Sequence, residues 1–146
     1  MRNFLFYLTP LLLLPSLAYA SDPLAGTIWK TIDDKTNQPS AIVKFSEEKN
    51  GQLTATIQKI LIKNEEQKCI SCQGQYHNKS LIGLAIIKGL KKLKPNEYGN
   101  GKIIDPQNGK TYSFSAKMSS DGKKLSGRGY IGVSLIGRDQ TWYRIN

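Results

Sequence analysis

The stretch that decides the fold is residues 41–57, AIVKFSEEKNGQLTATI. In its first half Ala41, Val43 and Phe45 alternate with Ile42, Lys44 and Ser46. In its second half Leu53, Ala55 and Ile57 alternate with Thr54, Thr56 and Gln58. Successive side chains on a strand point to opposite faces, so this period of two describes two strands, each with one apolar face. Asn50-Gly51 stands between them. Both residues tolerate positive φ, which predicts a two-residue hairpin turn. At Ile60 and Ile62 the apolar parity changes, which predicts a bulge or the end of the inward-facing run.

The same pattern extends in both directions. Gly26 to Thr31 reads as a short strand, and the polar stretch Asp33 to Ser40, with Pro39, reads as a loop. Lys63 to Ser80 is polar and holds both cysteines, so it reads as a long loop. Leu81 to Leu90 (LIGLAIIKGL) fits a short buried helix or a glycine-broken strand equally well. Strand patterning returns at Tyr98. Pro106-Gln107-Asn108-Gly109 is a turn, and Tyr112, Phe114, Ala116 and Met118 share one face after it. Asp121-Gly122 marks another hairpin. Leu125 to Ile131 and Gln140 to Ile145 complete the set, joined by a connection from Gly132 to Arg138.

Short strands joined in sequence by tight turns predict an antiparallel meander. A meander must bury its apolar face and hide its edges, and closing into a barrel does both. The expected fold is therefore all-β: a small antiparallel up-and-down barrel of about eight strands, with one short helix around 81–90 as the open alternative there. The competing architecture is a β-sandwich; the short chain and local hairpins favour the barrel.

The chain has 146 residues, enough for one domain. Its first twenty residues read as a secretory leader: Arg2 is a short basic region, Phe4 to Leu14 is apolar, and Ala18-Tyr19-Ala20 is a small-x-small cleavage site. The expected mature domain is residues 21–146. No later segment is long and apolar enough for a transmembrane helix. The expected location is periplasmic or secreted.

The formal net charge is +10, and +9 without Arg2. Such a charge suits an anionic envelope surface as a partner. The basic residues are scattered; Lys88, Lys91, Lys92 and Lys94, then Lys123 and Lys124, are the nearest to clusters. They form no stripe interleaved with aromatics, so nucleic acid is not an expected partner.

Four segments carry a family resemblance: Trp29-Lys30-Thr31-Ile32-Asp33-Asp34; Cys69 to Cys72 followed by Leu81-Ile82-Gly83-Leu84; Gly101 to Pro106 with Asn108 to Tyr112; and Arg128-Gly129-Tyr130-Ile131-Gly132 with Gln140 to Arg144. In combination they resemble the exported bacterial family called domain of unknown function 2147. The resemblance implies a lipocalin-like barrel, related to carriers of apolar molecules. Lipocalins carry a Gly-x-Trp on the first strand and an Arg from the last strand over that Trp. The resemblance gives Trp29 and Arg144 those barrel-closing parts through a cation–π contact. Here Thr27 stands where that pattern has glycine.

Little in the sequence points to catalysis. Cys69-Ile70-Ser71-Cys72 sits in a polar loop with no βαβ pattern around it, so a structural disulfide is expected rather than a redox motif. Cys69, Cys72 and His77 supply three metal donors and no fourth is evident. Asp33-Asp34 and Glu65-Glu66 read as solvated loop acids. With one His in the chain and no nucleophile elbow, no triad forms. No metal, cofactor or catalytic residue is expected, and an enzyme built around Asp33, Tyr112 or Arg128 is the third-ranked reading.

The interior is the more informative feature. Val43, Phe45, Leu53, Ile57, Tyr112 and Phe114 are the candidate ligand-lining residues. Gly127 and Gly129, on one face of a later strand, leave room beside them. The expected function is an exported, non-enzymatic protein binding a small apolar or amphiphilic ligand inside the barrel. The alternative is an envelope interaction or structural module whose barrel is filled by its own side chains, Trp29 or Trp142 among them.

Overall fold

The computed structural model describes residues 10, 12–63, 67–133 and 136–146. Half of the leader reading, residues 1–9 and 11, lies outside these residues; its described part, residues 10 and 12–20, is exposed and without regular structure. Glu65 and Glu66 also lie outside them.

The described residues form eight strands: β1 (Ile28–Ile32), β2 (Pro39–Glu47), β3 (Leu53–Ile60), β4 (Ala85–Lys94), β5 (Glu97–Ile104), β6 (Thr111–Met118), β7 (Lys124–Tyr130) and β8 (Gly137–Arg144). Each pairs antiparallel with the next, and β8 returns to pair with β1, so the barrel is closed and no described strand is left with a free edge. Trp29 stands opposite Arg144 in the closing pair.

Period-two patterning explains which faces turn inward. Val43, Phe45, Leu53, Ala55 and Ile57 are all buried, while Lys44 and Ser46 between them are exposed. The parity change near Ile60 is a bulge. Ile57 opposes Val43 and Lys59 opposes Ile42, so Gln58 is the extra residue on β3. The β2–β3 turn is longer than a two-residue hairpin. It runs over residues 48–52, closed by Glu48 N–H on the Gln52 carbonyl at 2.8 Å, and only Gly51 takes positive φ there.

The helix alternative at 81–90 is not realised. Leu81–Leu84 is a turn region, and Ala85 onward is strand β4. Ile86 and Ile87 are both buried because the β3–β4 register shifts beside them, and Gly89 takes φ +67° within the strand. A 3-10 turn, Gly74–Tyr76, lies in the β3–β4 connection.

The barrel has two unlike ends. The β2–β3, β4–β5 and β6–β7 turns lie at one end, where Trp29, Phe45, Leu53, Leu90, Leu125 and Trp142 fill the interior almost completely. Each such side chain stabilises the fold by about 1.5–3 kcal/mol relative to exposure. Residues 22–27 cross beneath this end. Leu24 is fully buried there, Gly26 N–H donates to the Phe45 carbonyl at 2.9 Å, and the Trp29 indole donates to Thr27 Oγ1 at 2.7 Å. Tyr98 O–H donates to Asp22 Oδ1 at 2.9 Å, and Asn146 donates to the Gly26 carbonyl at 3.1 Å. The connections β1–β2, β3–β4, β5–β6 and β7–β8 gather at the opposite end.

The mouth of the barrel

At that opposite end the interior is not filled. A cavity of about 430 Å³ opens there. Its walls carry residues from every strand of the barrel, and its position follows from the register of the inward ladders. Across β6, β7 and β8 the inward layers are Met118–Leu125–Trp142, then Ala116–Gly127–Gln140, then Phe114–Gly129–Arg138. The first layer closes the floor. The second and third place glycine where the neighbouring strands place side chains, and the space begins there.

Of the candidate interior residues, Val43, Ile57, Tyr112 and Phe114 line this cavity. Phe45 and Leu53 do not. They lie deeper, in the filled half, where Phe45 packs 6.2 Å from Trp142 between ring centroids. Trp142 lies between the two halves: its ring stacks on Phe114 at 6.1 Å and also faces the cavity. The interior is thus plugged below and open above. Apolar residues missed from the sequence complete the wall: Ile60, Ile86, Ile103 and Ile104. Exposed Ile131 and Ile136 stand where β7 and β8 end at the mouth, and also line it.

Polar groups gather near the mouth. Thr31 and Ser40 satisfy each other, hydroxyl to hydroxyl, at 2.6 Å. Asp33 and Asp105 each fold a carboxylate oxygen back onto their own turns. Asp33 Oδ1 accepts from Thr36 N–H at 2.8 Å and Lys35 N–H at 2.9 Å, and Asp105 Oδ1 accepts from Gln107 N–H at 2.9 Å. The Thr36 N–H, foremost among several hydrogen bonds, holds the Asp33 carboxyl below the ordinary carboxylate range against the opposing effect of partial burial. The lowered pKa makes the Asp33 carboxylate a weak proton acceptor, and Arg128 is paired with Asp139 at 2.8 Å rather than lining the cavity. Arg138 Nε meets Asp34 Oδ2 at 2.8 Å at the rim. The sequence reading starts the last strand at Gln140 and leaves Arg138 in the connection before it, whereas β8 begins at Gly137. Their alternation with Trp142, two residues apart each time, was the signal that could have found Arg138.

The barrel-closing pair differs from the expected form. Trp29 and Arg144 are register partners, but the Arg144 guanidinium donates through Nε to the Asn146 carbonyl at 2.8 Å. Among the described residues the cations over aromatic rings are Lys88 over Tyr76 and Lys124 over Tyr143.

Cys69 and Cys72 are joined as a disulfide, with Cα atoms 5.3 Å apart and both side chains buried. The bridge removes both thiolates from metal binding, and His77 Nδ1 lies 3.1 Å from the Cys72 carbonyl oxygen instead. The loop it clips packs on the β5–β6 turn. A Cβ on Gly109 would overlap the Ser71 carbonyl, so only glycine permits this approach. Pro106 and Gln107 of that turn line the cavity, which makes the clipped loop a support of the mouth.

Comparison with known proteins agrees with the barrel fold. The profile of a family described as uncharacterized protein conserved in bacteria (DUF2147) matches residues 27–144. A solved structure described as protein HP1028 from the human pathogen Helicobacter pylori, belonging to the lipocalin family, superposes with a TM-score of 0.74. It is 25% identical, and the match covers 84% of this chain and 83% of that one. No curated protein matches the sequence.

Proposed function

The chain belongs to the bacterial family DUF2147 and folds as a lipocalin-like barrel, and from that premise we propose that it is an exported, non-enzymatic carrier of a small apolar or amphiphilic molecule. The observation that supports this most is the cavity: about 430 Å³, within the general size range of ligand sites, walled by Val43, Ile57, Ile60, Ile86, Ile103 and Phe114 and open at one end. Burying ligand hydrocarbon there supplies affinity at roughly 25 cal/mol per Å², less the costs of association. The competing reading, a barrel filled by its own side chains, asks for an upper half packed like the lower one. The leader-like first twenty residues and the disulfide support export to an oxidising compartment.

The test is native mass spectrometry and solvent extraction of the protein purified from its own envelope, with displacement of an environment-sensitive apolar dye from the emptied barrel. A co-purifying amphiphile and saturable dye binding at one site per chain are expected. A protein that carries nothing and takes up no dye is not a carrier.

A further inference from the structure

Resting on the carrier reading, we infer that the ligand is a monocarboxylic acid with an apolar tail, whose carboxylate is held at the mouth by Arg138. Among the described residues lining the cavity Arg138 is the one cation. It occupies an inward register position on β8, opposite Gly129, which has no side chain to cover the Arg138 stem. Asp34 Oδ2 engages Nε at 2.8 Å and fixes the plane of the guanidinium. That leaves the edge formed by its two terminal nitrogens, the fork that matches a carboxylate in two parallel hydrogen bonds. The side chain is 45% exposed, so a ligand reaches it from solvent.

Beside the Asp34 and Asp33 carboxylates, two donor side chains share the mouth with Arg138. Gln140, in the next layer down, accepts the Trp142 indole N–H on Oε1 at 3.2 Å, which leaves its NH2 to donate. Tyr112 O–H accepts from Asn108 Nδ2 at 2.8 Å and keeps its own hydrogen to give. Below them the wall is mostly hydrocarbon down to Trp142, interrupted by the mutually bonded Thr31 and Ser40 hydroxyls. The arrangement suits one acceptor-rich head above one apolar tail. Asp33 and Asp105 also border the mouth, each bound to the N–H groups of its own turn. With the Arg138 charge already shared with Asp34, these acids repel a dianion more than a monoanion, which favours a carboxylate over a phosphate dianion.

The experiment is calorimetric titration of the full mature protein with dodecanoate, dodecanol, dodecylamine and dodecyl phosphate, each below its micelle or solubility limit, in wild type, Arg138→Gln and Arg138→Lys. Wild type is expected to prefer dodecanoate over the other three by about tenfold or more. Arg138→Gln should lose about ten- to hundredfold for dodecanoate and about twofold or less for dodecanol. Arg138→Lys, with the charge but not the fork, should fall between. Equal wild-type affinity for acid and alcohol, or equal losses for both in Arg138→Gln, overturns the assignment while leaving the carrier reading standing. Failure of all four probes to bind also overturns the assignment, and the carrier reading falls with it when the emptied barrel takes up no dye either. Thermal melts identify a variant that does not fold, in which case the wild-type head-group preference and Arg138→Lys decide.

Discussion

The Phe114 ring lies over Gly127 so closely that a Cβ there would meet Cζ at 2.8 Å. Gly129, one layer nearer the mouth, has space instead: its Cβ would sit 3.7 Å from Ile103 and 3.8 Å from Tyr112, ordinary contacts. The two glycines therefore do different work. Gly127 lets Phe114 lie down on Trp142 as the lip of the floor, and Gly129 leaves volume. Gly127→Ala should push the Phe114 ring up into the cavity. We expect a stability loss of about 1–3 kcal/mol and weaker dye binding. Gly129→Ala should change stability by less than about 0.5 kcal/mol. Denaturant melts and dye titration of both variants check this, and equal behaviour of the two would refute the distinction.

The Cys69–Cys72 bridge closes a loop of only four residues, so its chain-entropy contribution is small, about 2 kcal/mol. For a domain of this size that corresponds to a fall in Tm of about 5–10 °C on reduction or in a Cys69→Ser/Cys72→Ser double variant. The bridge also holds the Ser71 carbonyl against Gly109. Protease cleavage within residues 63–80 should therefore accelerate together with the Tm loss. Unchanged Tm and cleavage after confirmed reduction would show that the loop is held by its packing alone.

The sequence is most readable where one strand face meets solvent and the other does not. Val43/Lys44/Phe45 on β2 and Leu53 to Ile57 on β3 announce their faces residue by residue. Leu81 to Leu90 does not, because a register shift and the positive φ of Gly89 bury Ile86 and Ile87 together and erase any single period. The cavity was only half legible. Alternation shows that Phe45 and Ile57 both face inward, but not that one helps fill the base while the other borders empty space. Depth along the barrel axis is set by strand tilt and by pairings far apart in sequence, such as Thr31 with Trp142. Arg138 was hidden for a related reason: β8 begins at Gly137, inside what reads as a glycine-started connection.

Tyr98 fastens the segment under the base. It is buried, its O–H donates to Asp22 Oδ1, and burial, then the Asp22 carboxylate, raise its pKa far above the ordinary phenol value. The unfolded phenol ionises at about pH 10. Above that pH the folded state binds more protons than the unfolded one, so stability falls as pH rises, and this contribution is fully present below pH 10. Tyr98→Phe should cost about 1 kcal/mol at neutral pH and flatten the decline of Tm between about pH 9 and 11 relative to wild type. A parallel decline in the two proteins would assign the alkaline loss to other groups.

The two tryptophans make the cavity observable. Trp29 is sealed in the base, its indole bonded to Thr27, and does not line the cavity; Trp142 does. An apolar ligand in the upper barrel should therefore change the emission of Trp142 and leave that of Trp29 nearly constant. Trp142→Ala is the wrong probe, because removing so large a buried side chain costs about 3–5 kcal/mol. Trp142→Phe keeps an aromatic ring against Phe45 and Phe114 and leaves Trp29 as the reporter of a folded base. In that variant the ligand-induced emission change should vanish while calorimetry still detects binding, weakened by the lost contact. If the change survives in Trp142→Phe and disappears in Trp29→Phe, the ligand lies under the base, among Leu24 and its neighbours, and not in the mouth.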